Sequence, residues 1–268
     1  MRIHREEFGA GDAAVFVHGS FGWGLDNFPE QKALADRFHV VLLDRAGFGD
    51  SPARDVVGWP TDVDDLIEVL DDFNGAHLVG QSYGAVVSLL AAGRRPDLVR
   101  SLVVIEPPLF EIAPEKPAVQ TALTSHRRLR QVADEMSTEQ FVRAWGAEVM
   151  GRDPAAVDEW TASWTSKDWA AAESTRRERW PGDAPLQLDA LAGLSAPKVV
   201  VVGGWSADIY PGRQAAGAAL RAVGTTLAKR INARLVVFER SAHNPQIEES
   251  AAFNELLRAT WNVTTIGR

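Results

Sequence analysis

The sequence predicts an α/β fold: a doubly wound, mostly parallel sheet of about seven strands, with a helical cap inserted before the penultimate strand. Three observations predict it. Six short apolar runs are rich in β-branched residues and nearly continuous rather than alternating, the pattern of strands covered on both faces. Helix-like stretches separate most of them, which implies right-handed βαβ crossovers. From about Pro107 to Pro197 the alternation stops, and several helix-like segments follow one another without a convincing strand.

The runs, in order, are Ala13–Val17, His39–Leu43, His77–Val79, Leu102–Ile105, Val199–Val202 and Leu235–Phe238. About a dozen residues precede the first, room for one short leading strand. Between the second and third runs, Val63, Leu66, Ile67, Leu70 and Phe73 mark one face of a helix with acidic residues on the other. Thr61 and Asp64 are expected to cap its start. In the interrupted stretch, Ser137-Thr138-Glu139-Gln140 and Asp153-Pro154 each read as a helix start. Phe253, Leu256 and Leu257 mark a C-terminal helix. The expected division is a core of residues 1–106 and 198–268 and a cap of residues 107–197. Five of the nine tryptophans, Trp145, Trp160, Trp164, Trp169 and Trp180, fall in the cap. They either present indole surface to an apolar cavity or fasten the cap to the body.

At 268 residues, 46% hydrophobic and 24% charged, the chain has the composition of an ordinary globular protein. Its net charge of −8 disfavours phosphate backbones and anionic lipid as partners, so neither nucleic acid nor membrane binding is expected. With no cysteine, thiolate metal sites, disulfides and cysteine nucleophiles are excluded. The N-terminus has no apolar signal segment and no run reaches the length of a membrane span, so a cytoplasmic location is expected. A homodimer is compatible with this sequence.

Gly80-Gln81-Ser82-Tyr83-Gly84 follows a strand and opens a helix-like run. In that context G-x-S-x-G describes a turn so tight that its flanking residues must lack side chains, and the turn lifts the Ser82 hydroxyl out of the sheet. Capping the helix is the bland alternative for Ser82. A serine nucleophile needs a base. Of the six histidines, His243 stands in a loop between the last strand and the last helix, at the carboxyl edge where Ser82 also lies. The base needs an orienting acid. Asp208, in the loop after Val199–Val202, is favoured; Glu106, ending the Leu102–Ile105 run, is the competitor at the same edge. Glycines in His18-Gly19-Ser20-Phe21-Gly22 allow backbone N–H groups to turn into the site. Ser20 and Tyr83 are the expected oxyanion donors, with Phe21 the alternate for Ser20. His18 reads as structural. Phe21, Trp145 and Trp164 are the expected pocket residues.

Together these residues resemble the α/β-hydrolase family, on its serine-nucleophile, esterase- or lipase-like branch. Asp44-Arg45-Ala46-Gly47-Phe48-Gly49-Asp50-Ser51 is similar to the family's D-x-x-G-x-G-x-S turn. Leu191–Pro197, leading into the penultimate strand, and the tail from His243 through Phe253-Asn254 match as well. Two departures stand out: Ser241-Ala242 replace the familiar glycines before the histidine, and Asp208 comes one residue late after Gly204.

The resemblance implies acyl transfer to water. Ser82 in the nucleophile position argues against the dehalogenase and epoxide hydrolase branches, which use aspartate there. The expectation is hydrolysis of a small-molecule carboxylic ester, lactone or thioester with apolar groups through an acyl-enzyme on Ser82, without metal or organic cofactor. Two alternatives stay open: a cofactor-free perhydrolase with the same triad, and a non-catalytic small-molecule binding protein of the same fold.

Overall fold

In the computed structural model, which describes residues 2–265, seven strands form one sheet in the order β1-β3-β2-β4-β5-β6-β7. They are β1 (Arg5–Phe8), β2 (Asp12–Val17), β3 (Phe38–Leu43), β4 (Ala76–Gln81), β5 (Val99–Ile105), β6 (Lys198–Gly203) and β7 (Arg234–Phe238). β1 pairs antiparallel with β3, and every other pairing is parallel. All six predicted runs lie in strands, and β1 is the short leading strand.

The helices are α1 (Gly24–Asn27), α2 (Trp59–Asp72), α3 (Tyr83–Arg94), α4 (Pro117–Val132), α5 (Thr138–Glu148), α6 (Pro154–Thr161), α7 (Ser166–Arg177), α8 (Leu188–Gly193), α9 (Gln214–Arg230), α10 (Pro245–Glu248) and α11 (Ser250–Thr265). None of the described helices is long and apolar enough to cross a membrane.

The continuous apolar runs follow from the two-sided burial of this sheet. On β2, Val15 and Val17 join a cluster with Val63 and Leu66 of α2, Val86 and Leu90 of α3, and Val223 and Leu227 of α9. The alternate residues Ala14 and Phe16 face a second cluster with Phe28, Leu34, and Phe253, Leu257 and Trp261 of α11. Because successive strand side chains point to opposite faces, a strand between two helix layers has no polar position to spare. Each such Val, Leu or Phe contributes roughly 1.5–3 kcal/mol on burial.

Five helices, α4 to α8, lie between β5 and β6. Two begin as expected. Ser137 accepts from the Gln140 N–H while the Gln140 side chain bonds back to Ser137, a complete capping box, and Asp153 accepts from the Ala156 N–H at 2.8 Å. The α2 start differs from expectation. The helix opens at Trp59 after Gly58, whose φ of 105° no side-chain-bearing residue adopts easily, and the Thr61 hydroxyl is drawn to the Val56 and Gly58 carbonyls instead. α8 packs on α3 and α9, with Leu191 in the body core, and so belongs sterically with the sheet rather than with the preceding helices.

Candidate active site

β4 delivers Ser82 at the carboxyl edge of the sheet in an unusual backbone conformation, φ 52° and ψ −118°, immediately before α3. A non-glycine residue held there costs of order 1–3 kcal/mol and persists only where its surroundings enforce it. Here the Ser82 N–H donates to the Ile105 carbonyl at 2.8 Å. A Cβ on Gly84 would collide with the carbonyl oxygens of Val17 and His18, and one on Gly80 with Gly84 and Ser88. The two glycines of G-x-S-x-G thus let strand, turn and helix approach closely enough to form the elbow.

His243 sits in the loop after β7, and its position is secured from three sides. The Gln81 side-chain amide, next to the serine, donates to Asn244 Oδ1 (3.1 Å) and to the His243 carbonyl (3.3 Å). The Ala242 N–H donates to Glu248 at 2.7 Å, and the Ser241 hydroxyl to Glu249 at 2.7 Å. The third restraint is on the ring: His243 Nδ1 lies 2.7 Å from Oε2 of Glu106.

Glu106 immediately follows β5, with φ 44°, and is fully buried. Its other oxygen, Oε1, accepts from the Gly203 N–H (2.8 Å) and the Trp205 indole N–H (2.9 Å). Three donors therefore surround one carboxylate. The favoured acid, Asp208, is not brought to the histidine: it is exposed, in a turn where the Ser206 carbonyl accepts from the Ile209 and Tyr210 N–H groups. The reason is local. Trp205, at φ 54°, redirects the chain after β6 and places its indole against Glu106, so the space beside His243 Nδ1 is taken before the chain reaches residue 208. The competitor read from the sequence, Glu106, occupies the partner position, and the extra residue before Asp208 was the sign of it.

The loop after β2 brings Ser20 and Phe21 to the same edge. The Phe21 N–H is engaged by Thr175 Oγ1 at 2.9 Å, whereas the Ser20 N–H has no partner among the described residues. Tyr83 is the first residue of α3, and its N–H is one of the orphan donors at the positive end of that helix. His18 has both ring nitrogens committed, Nδ1 to the Gly19 carbonyl (2.6 Å) and Nε2 to the Arg45 N–H (2.9 Å). Burial, with Arg45 beside it, holds its pKa well below the usual histidine range, as befits a neutral ring with a fixed tautomer.

A buried charged network lies beneath this loop. Arg45 bonds Asp62 (2.8 Å), Glu178 (2.6 Å) and the carbonyls of His18 and Gly19. Glu178, just past α7, also accepts from the Ser20 hydroxyl at 2.5 Å. Burial pushes the Glu178 and Asp62 carboxyls upward against the pull of the Arg45 charge. The network joins the helical insert to the loop after β2, and sequence patterning gave no sign of it.

Ser20, Phe21, Ser82, Tyr83 and His243 line one cavity of about 600 Å³. Trp145 and Trp164 line it too. Phe21, at φ 67°, is the hub of its aromatic wall, with ring centroids 5.4 Å from Trp145, 5.5 Å from Trp160 and 6.3 Å from Trp164. The remaining tryptophans divide: Trp160 and Trp180 reach the cavity, while Trp169 packs behind Trp164. His126, on α4 beside Arg127 and Arg128, also faces the cavity. It lies among Phe110, Trp145 and Trp180, and burial lowers its pKa to about 4.

Comparison with known proteins agrees with this fold. A family model described as the alpha/beta hydrolase family matches residues 14–256. The chain is 28% identical over 268 residues to a pimeloyl-[acyl-carrier protein] methyl ester esterase of Aeromonas hydrophila, an alignment covering 96% of this chain and 98% of that one. An alpha/beta hydrolase from Sphaerobacter thermophilus superposes with a TM-score of 0.69 at 26% identity, covering 95% of this chain and 96% of that one. A thermophilic esterase from Thermogutta terrifontis shares the fold with a TM-score of 0.71 at 20% identity, covering 98% and 93%.

Proposed function

Because the chain belongs to the alpha/beta hydrolase family, we propose that it is a serine carboxylic-ester hydrolase working through an acyl-enzyme on Ser82, with His243 as base and Glu106 as orienting acid. The observation that carries the reading is the His243–Glu106 bond, in a loop tied through Gln81 to the strained turn that presents Ser82. An imidazole whose Nδ1–H is held by a buried carboxylate exposes Nε2 as the acceptor, the tautomer a general base for serine requires. Ser82 Oγ attacks the substrate carbonyl as Nε2 takes its proton. The Ser20 and Tyr83 N–H groups receive the developing oxyanion, each donor worth about 2.7–4 kcal/mol of barrier. His243 then protonates the departing alcohol or thiol and activates the water that releases the acid. These steps are complete with protein groups and water alone.

The aromatic cavity favours substrates with apolar acyl or alcohol parts, and the esterase relative, aligned over nearly its whole length, supports ester cleavage. The test is labelling with a fluorophosphonate, mass mapping of the adduct, and turnover of p-nitrophenyl butyrate. The adduct is expected on the Ser82 peptide, with turnover abolished in Ser82→Ala. Turnover retained by that variant overturns the reading.

A further inference from the structure

The wall of the cavity carries two cations that the mechanism does not use. Arg152 lies in the turn between α5 and α6, and Arg213 immediately precedes α9; both line the cavity that holds Ser82 and His243. The two turns touch, since a Cβ on Gly151 would meet the Gly212 carbonyl oxygen. Both guanidiniums lie over aromatic faces inside the site: Arg152 is 5.1 Å from the Trp160 ring and Arg213 is 5.7 Å from the Trp205 ring. Trp205 is the residue whose indole bonds Glu106 and whose ring lies 6.4 Å from that of His243. Arg213 is therefore one aromatic ring away from the catalytic base.

Their electrostatic situation is unusual for this chain. Most of the arginines are paired with carboxylates, but among the described residues neither Arg152 nor Arg213 makes a salt bridge, and the buried Nε of each has no hydrogen-bond partner. Among the described residues, none of the acids nearby forms a direct ion pair with them. Glu159 acts on Arg152 only at a distance, Glu148 faces Arg128, and Glu248 is committed to the Ala242 N–H. Burial and the neighbouring Arg213 charge both press the Arg152 pKa downward, yet a guanidinium stays charged in proteins. Two like charges, each with an unpartnered buried Nε, face one cavity in a protein of net charge −8, and an anion held between them would relieve their mutual repulsion.

We infer that Arg152 and Arg213 form an anion subsite, so that the preferred substrate is an ester or thioester carrying a carboxylate or phosphate at the end remote from the scissile bond. The aromatic wall would hold the apolar spacer between them. This deepens the hydrolase reading and rests on it for turnover, but not for binding.

The test therefore has a binding arm and a turnover arm, both on the full chain. In the Ser82→Ala background, adipate and pantetheine 4′-phosphate are titrated calorimetrically, with hexanol and pantetheine as uncharged matches. At least one anion should bind more tightly than its match and lose roughly 10- to 100-fold in affinity in Arg152→Gln/Arg213→Gln. In the active enzyme, the same double substitution should lower the kcat/KM ratio of mono-p-nitrophenyl adipate over p-nitrophenyl hexanoate, or of acetyl-pantetheine phosphate over acetyl-pantetheine, by a similar factor, mostly through KM. The pair that responds identifies the anion as carboxylate or phosphate. Should the double variant fail to fold, Arg213→Gln alone should show a smaller loss, restored in large part by Arg213→Lys. Anion binding with no turnover of any ester supports the subsite and overturns the hydrolase reading; turnover with ratios and affinities unmoved by the substitutions overturns the subsite.

Discussion

Glu106 Oε2 lies 2.7 Å from His243 Nδ1, and its partner oxygen is saturated by two further donors on β6 and the turn after it. A carboxylate held this way cannot swing away from the imidazole, so the identity of the acid is testable by substitution. Glu106→Gln keeps the shape but offers an amide that can satisfy the wrong tautomer. By analogy with the equivalent change in serine proteases, kcat for p-nitrophenyl butyrate should fall about 10³- to 10⁴-fold. Asp208→Asn, at an exposed turn, should stay within about two-fold. The reverse ranking would return the role to Asp208.

The Arg45 network makes a stability prediction. Removing Arg45 takes the directly bonded cation from two buried carboxylates, and breaking such a pair costs about 3–5 kcal/mol. Arg45→Gln should lower Tm by roughly 5–15 °C. Adding Glu178→Gln to Arg45→Gln removes one stranded charge, so the double variant should be more stable than the Arg45→Gln single. Calorimetry on the four proteins of this cycle decides it, because simple additivity would mean that the two side chains do not act as one unit.

The aromatic wall makes a specificity prediction. Trp145 stands between Phe21 and His126, with ring centroids 5.4 and 5.5 Å away, and truncating it lengthens the cavity. An apolar pocket is worth about 1–3 kcal/mol per methylene. Trp145→Ala should therefore raise the kcat/KM ratio of p-nitrophenyl octanoate over butyrate by at least about five-fold. A ratio that falls would place the acyl chain elsewhere in the cavity.

How much of this was legible in the sequence depends on the range of the force concerned. The strands were readable because two-sided burial is written into each run, as in Val199–Val202, and the caps at Ser137 and Asp153 because their partners lie within three residues. The turn at Gly80–Gly84 was readable because sterics restrict its flanks to glycine. Contacts between distant segments were not. Glu106 and His243 are 137 residues apart, and only the place of Glu106 at the carboxyl edge and the late position of Asp208 hinted at their pairing. The Arg45–Glu178 bond spans 133 residues, and the Gln81–Asn244 bond that steadies the histidine loop spans 163. No local pattern encodes these. The placement of α2 at Trp59 was misread because Gly58, through its positive φ, outranked Thr61 as the start.

His126 supplies a pH prediction. Burial among Phe110, Trp145 and Trp180 lowers its pKa from the ordinary 6.5 to about 4, and its Nδ1 has no partner among the described residues. Between pH 6.5 and 4 the unfolded chain thus binds a proton at this position that the native chain refuses, so the stability of the native state falls as pH falls through that window. The size of the shift corresponds to at most about 3 kcal/mol. His18, also held low by burial, adds an effect of the same sign and must stay in place as a constant background. Phenylalanine at position 126 keeps the aromatic packing and removes the titration. Urea unfolding at pH 7, 6 and 5 should then show the wild-type protein losing ground to His126→Phe as the solution is acidified, with most of the change below pH 6. A stability difference between the two that stays constant from pH 7 to 5 would mean that the imidazole accepts its proton in the native cavity, through solvent or a neighbouring acceptor, and that this face of the pocket is wet.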